Sequence, residues 1–304
     1  MTRAEVERVL ARTAEALEAG EHVVLAVVAG VTGSSYRKPG AAMAIGPQWT
    51  EGGVSAGCLE SDVILRARDL SVGVGPTVAE YDTGDVSPYG LGIGCGGRIR
   101  IGLLPLAPAD AAEMREMARA ASSDTSFEWT LPLGPAGELR TTFPAPDHLH
   151  LYGAGRDSGP ICEIAGRVGF RVTVVDHRSG LLNGPHTAAA RERVLARPGD
   201  PAGALQRAGR VFAVVKTHDL EGDRAWLGVL RASTACYIGV MGPAARVEAL
   251  VASTGGPDAR VRGPVGLDLG GDGPHSVALS VVAELRAVAS GRSGAPLGEI
   301  AGVW

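Results

Sequence analysis

Two thiols in glycine-rich surroundings and two polar loops are the parts of this sequence whose residue types and spacing suit chemistry. Cys58 stands in GGVSAGCLESD (Gly52–Asp62), straight after Gly57 and two positions before Glu60. The glycines stop there, and Leu59, Val63, Ala67 and Leu70 recur at helical spacing, which predicts a helix with Cys58 at or just before its N-terminus. Amide groups and the positive dipole end at such a place lower a thiol pKa and attract anions. Glu60 falls in the first turn, a favourable place for a carboxylate with or without a chemical role. For Cys58 three readings stay open: a nucleophile, a ligand for a soft centre, or a small buried residue, the usual fate of a free cysteine. Cys95, in GIGCGGR, is the second thiol; its pinched glycine loop suits either contact with a ligand or a bulged turn over a buried side chain.

In the second half, YGAGRDSGP places Gly153, Gly155 and Gly159 immediately after a predicted strand, and Asp176 closes the next strand. This is a dinucleotide-binding arrangement, with glycines for the tight turn and close phosphate approach and an acid for a ribose hydroxyl. Its spacing is one residue longer than the NAD fingerprint. Asp176 suits a free 2′-hydroxyl and Arg178 a 2′-phosphate, so NAD and NADP both stay open. A later strand ends in KTHD (Lys216–Asp219), where open parallel sheets hold their ligands. Lys216 and His218 are therefore candidate catalytic residues, with His218 and Asp219 an acid/base pair only if the fold turns these neighbours together. The chain has 2 lysines against 27 arginines, and both, Lys38 and Lys216, lie in candidate loops.

The elements that must position these groups form two α/β domains. Thr2 and Glu5 make a capping box for a first helix carrying Val6, Leu10 and Ala14, with Gly20 at its end. HVVLAVVAG reads as a buried strand feeding the loop Gly30–Gly40, and AAMAI as a second strand. Further strands are expected at Val78–Tyr81, after GIGCGGR, and near Phe127 and Leu139, with a helix over Ala109–Ala121. FPAPDH breaks the composition, which divides the chain into domains of 1–145 and 146–304. From His148 strands and helices alternate, the rhythm of a parallel sheet with crossover helices, that is, a Rossmann-like doubly wound domain. Helices are expected through Ile161–Val168, near Trp226, over Pro243–Ala252 and after the Gly-rich turn PVGLDLGGDG; Glu284 on the last reads as solvated or cap-pairing.

Composition bounds the partners. With 304 residues and a formal net charge of -4 there is no basic excess of the kind that binds nucleic acid or anionic membranes. Apolar runs stay short of the roughly 18–20 residues a membrane span needs, and MTRAEVERVL is interrupted by acids at once, unlike a signal peptide. A cytoplasmic protein with a small-molecule or protein partner is expected. Its 4 cysteines are scattered without a CxxC pair, which argues against a disulfide scaffold or zinc knuckle.

GSSYRKPGAAM, GGVSAGCLE and GLGIGCGGRI together resemble the amino-terminal α/β domain of the XdhC/CoxI family, accessory proteins of molybdenum hydroxylases such as xanthine dehydrogenase. GAGRDSGP through VVDHR, then KTHD, YIGVMG and PVGLDLG, are similar to that family's carboxy-terminal Rossmann domain. The resemblance implies a protein that binds molybdenum cofactor, protects it during sulfuration by a cysteine desulfurase, and hands it to the apo-enzyme. It implies a role for Cys58 in holding the cofactor, with Cys95 as a further contact, and a homodimer. Ser35, Arg37 and Lys38 in the basic loop would meet the pterin phosphate, while sulfur suits molybdenum. Arg156, the GPHSVALS helix start and the missing proline after Asp-His-Arg depart from the family pattern. They keep open a second reading, an NAD(P)-dependent oxidoreductase in which Cys58 or Lys216 assists the substrate.

Overall fold

A computed structural model describes residues 1–70, 73–84, 96–203 and 206–300, in two compact units, 1–144 and 145–303. Cys95 lies outside the described residues.

The first unit opens with helix α1 (Arg3–Glu18), where Thr2 and Glu5 close both halves of the expected capping box. Strands β1 (Val23–Gly33), β2 (Ala42–Ile45) and β3 (Thr50–Gly52) follow, then α2 (Glu60–Arg68), β4 (Thr77–Asp82) and β5 (Gly97–Leu106). Helix α3 (Ala111–Ser122) and the hairpin β6 (Phe127–Pro132) with β7 (Glu138–Phe143) complete the unit. The sheet is antiparallel in the order β3-β2-β1-β5-β4. Alternation along the strands supplies apolar side chains to both faces. Val23, Leu25 and Val27 pack under α1 and α3, while Val24, Ala26 and Val28 pack with Val63 and Ala67 of α2. Arg3 fastens the first of these layers: its guanidinium donates to the carbonyls of Ala120, Ala121 and Ser123 at the end of α3, and to those of Thr125 and Pro144. That satisfies carbonyls which a helix end leaves without intrahelical partners.

β1 continues beyond the expected strand end at Gly30 as far as Gly33, because its pairing with β5 resumes after a bulge between Val28 and Gly30. At the far end main chain meets main chain. A Cβ at Gly97 would lie 1.9 Å from the Ser34 carbonyl oxygen, and one at Gly33 would lie 2.7 Å from that of Gly96.

The second unit is a parallel sheet of β8 (His148–Tyr152), β9 (Arg171–Asp176), β10 (Glu192–Leu195), β11 (Val211–Val215), β12 (Tyr237–Val240) and β13 (Val261–Arg262). Its helices are α4 (Ser158–Arg167), α5 (Ser179–Leu182), α6 (Leu220–Arg231), α7 (Ala244–Ser253) and α8 (Pro274–Ala289). The order β10-β9-β8-β11-β12-β13 is the 3-2-1-4-5-6 arrangement of the doubly wound dinucleotide fold. One face carries α4 and α8, through Ile161, Ala165, Val281 and Leu285. The other carries α6 and α7, through Trp226, Leu230, Val247 and Leu250. The strand order reverses between β8 and β11, so the loops after these two strands flank the switch point. Sequence periodicity missed β10 and β13, short strands at the two sheet edges with largely exposed side chains. Glu284 is buried, not solvated, and its carboxylate accepts the Gly266 amide at 2.6 Å. Among the described residues, no helix is long and apolar enough to cross a membrane.

Candidate functional site

In the first unit the chemistry gathers around Gly53. Cys58 sits one residue before Leu59, the N-cap of α2, and its side chain is exposed. The reading of Cys58 as a sealed core residue is thereby excluded. Leu59 has no side chain able to cap the helix, so the task passes to Ser55. The Ser55 hydroxyl accepts the amides of Gly57 and Leu59, each at 3.1 Å, and receives the Cys58 thiol at 3.5 Å. It donates its own proton to the Glu60 carboxylate, which also accepts the Ser55 amide at 2.8 Å. A hydroxyl oxygen has two lone pairs, and three donors converge on this one, the thiol from farthest away. Partial burial raises the Glu60 carboxyl, but the Ser55 hydroxyl and the surrounding amides outweigh it and hold the group below its ordinary range.

Arg37 reaches the same place from the basic loop. A Cβ on Gly53 would lie 3.5 Å from Glu60 Oε1 and 3.9 Å from Arg37 Nη2, so both charged groups converge on its bare main chain. Arg37 Nη1 pairs with Glu5 Oε1 at 3.2 Å, while its buried Nε has no hydrogen-bond partner. Lys38 is exposed. Ser35 turns inward and donates to the Arg37 carbonyl at 2.8 Å, which shapes the loop. The structure thus brings Arg37 to the Cys58 loop and adds Gly53 and Ser55, neither of which was singled out from sequence, and Glu5, which was expected only to cap α1. A cavity of about 570 Å³ opens elsewhere on β1, β4 and β5, lined by residues including Thr32, Asp82, Arg98 and Arg100. Its charges pair internally, Arg98 with Asp82 and Arg100 with Glu80, and Cys58 is not among its walls.

In the second unit Lys216 is fully buried at the end of β11. Its ammonium donates to Asp157 Oδ1 at 2.8 Å, to Ser158 Oγ at 2.9 Å and to the Gly153 carbonyl at 3.3 Å. Burial lowers its pKa against the pull of Asp157. All three N–H donors are engaged, so the lysine expected to act on a substrate instead holds the glycine loop. His218 is the one non-glycine residue with positive φ (61°) among the described residues. It does not pair with Asp219, which caps α6 by accepting the Gly222 amide at 3.1 Å. The exposed His218 ring stands 3.6 Å from Asp157 Oδ2 instead. Asp176 is buried and both its oxygens are occupied: Oδ1 accepts the Arg178 amide and Nε, Oδ2 accepts Arg178 Nη2 and the Ala154 amide. Burial raises this carboxyl, but Arg178 and the two amides prevail and hold it at about 2.

The glycines have local causes as well. A Cβ at Gly153 would meet the Lys216 carbonyl at 2.5 Å, one at Gly155 the Asp157 carboxylate at 2.6 Å, and one at Gly159 the His186 carbonyl at 3.2 Å. At each of the three positions the chain's own atoms fill the space. Among the described residues no group of histidine, cysteine, aspartate and glutamate is placed to hold a metal ion.

Residues 16–82 match the family model described as the XdhC and CoxI family, and residues 149–285 match that of the XdhC Rossmann domain. The chain is 28% identical over 313 residues to a Bacillus subtilis protein described as a probable xanthine dehydrogenase subunit, covering 88% of this chain and 94% of that protein. A crystal structure described as a xanthine dehydrogenase from Bacillus halodurans superposes with a TM-score of 0.79 over 98% of each chain at 24% identity, which shows a shared fold.

Proposed function

This chain belongs to the XdhC and CoxI family, and from that premise we propose that it binds molybdenum cofactor as cargo and delivers it to a molybdenum hydroxylase such as xanthine dehydrogenase. The observation that carries the reading is the exposed Cys58 thiol, fixed by Ser55 beside the start of α2, with Arg37 converging on the same loop. Each piece answers a part of the cargo. A thiol suits a soft metal centre. A guanidinium suits a phosphate, and Arg37 brings one to the Cys58 loop. The dipole at the start of α2 adds a favourable field for an anion.

In this reading Glu60 is a positioning residue. It keeps the Ser55 proton turned away from sulfur, so Cys58 faces an oxygen lone pair instead of a competing donor. Cytoplasmic residence, a homodimer and exchange with a cysteine desulfurase belong to the same proposal. The test is equilibrium binding of the pterin cofactor to the wild type and to Cys58→Ser and Arg37→Gln. Loss of one such contact costs about 10-fold or more in affinity. Equal affinity of Cys58→Ser and wild type would defeat the thiol role.

The strand order favours one competing reading, an NAD(P)-dependent oxidoreductase. Its signature is a nicotinamide absorbance change on addition of a substrate. The buried Lys216 and the occupied Asp176 weigh against it.

A further inference from the structure

We propose that Asp157 closes the crevice of the Rossmann unit to dinucleotides, its carboxylate standing beside Gly155 where a pyrophosphate has to lie. The inference concerns the second unit alone and does not depend on the role of Cys58.

A dinucleotide-binding turn uses its second glycine so that phosphate approaches bare main chain, and the helix that follows faces the phosphate with its N-terminus. In this chain the space at Gly155 is taken. A Cβ there would lie 2.6 Å from Asp157 Oδ1 and 3.7 Å from the His218 ring. The carboxylate is not a loose side chain that a ligand would sweep aside, because the buried Lys216 ammonium holds it at 2.8 Å. A phosphate arriving at this turn meets a fixed negative charge, and the adjacent cation is already neutralised. Like charges brought together in this way oppose recognition.

Several other groups that a dinucleotide would use are engaged within the chain. The Gly153 amide donates to Val175, the Ala154 amide to Asp176 and the Ser158 amide to Gly155. The acid that would accept a ribose hydroxyl has both oxygens engaged, and the arginine that would accept a 2′-phosphate is paired with that acid. Among these groups Asp157 is the one whose charge opposes the ligand directly.

Isothermal titration of the full chain with NAD⁺, NADP⁺ and inorganic pyrophosphate tests this, using wild type, Asp157→Asn and Asp157→Ser. Asp157→Asn keeps the side-chain shape and a hydrogen bond to Lys216 while removing the charge, so it carries the test if Asp157→Ser does not fold; thermal melts decide which variant is used. The expected result is no wild-type binding tighter than about 1 mM and a gain of at least about tenfold for pyrophosphate in the folded variant. Micromolar binding of either dinucleotide to wild type overturns the proposal. So does a folded variant that gains no affinity for pyrophosphate.

Discussion

Asp176 offers a quantitative test of how the Rossmann unit is held together. Asp176→Asn keeps the side-chain shape but removes the charge that Arg178 and the Ala154 amide gather round. A buried carboxyl lowered from 3.8 to about 2 contributes about 2 kcal/mol of stability near neutral pH. Because the folded-state value lies below the unfolded one, this contribution is complete above about pH 4 and is lost as pH falls through about 2, with roughly half gone at pH 3. The Asn variant has no such titration. Urea unfolding of both proteins at pH 7 and pH 3 should therefore show the wild-type advantage shrinking by about 1 kcal/mol at the lower pH. Changes in packing caused by the substitution are common to both pH values and cancel in that comparison. An advantage that stays constant, or grows, between pH 7 and pH 3 would refute the assignment of Asp176 as the ionised partner of Arg178.

Two further substitutions test the first unit. Ser55→Ala removes the acceptor for the Gly57 and Leu59 amides, which should cost about 1–2 kcal/mol and raise hydrogen-exchange rates at those two amides selectively; unchanged protection would mean that Ser55 does not organise the turn. Arg3→Ala leaves the carbonyls at the end of α3 without their buried donor and should cost about 2–4 kcal/mol in urea unfolding, whereas a loss below about 0.5 kcal/mol would place Arg3 among ordinary surface residues.

Local signals in the sequence were readable where one or two turns of chain decide the outcome. Thr2 and Glu5 lie three residues apart and cap α1 as their types require. The end of the glycine run at Gly57 put Cys58 before a helix, and the alternation after His148 indicated a doubly wound sheet. Periodicity did not reveal β10 and β13, because short edge strands with exposed side chains have no buried face to impose a pattern. Within the site, the convergence of Arg37, Glu5 and Gly53 depends on contacts made across the fold, and no local pattern announces it. KTHD was informative for its place and misleading for its pairing. The backbone at His218 turns left-handed, which sends the ring towards Asp157 and leaves Asp219 to cap α6. Lys216 was legible by its place at the end of a strand, but not its burial against Asp157, Ser158 and Gly153, which depends on contacts across the fold. The three loop glycines showed a close approach, and the approaching atoms belong to the protein itself.

The contact between Gly97 and Ser34 bears on how this protein can diverge. Where two backbones touch with no room for a methyl group, the take-off point of the basic loop is set by the ladder beneath it, whatever side chains the loop carries. Substitutions from Tyr36 to Pro39 can accordingly retune charge and reach without moving the anchor. A single alanine at Gly97 would prise that anchor loose while leaving both Arg37 and Cys58 in place in the sequence.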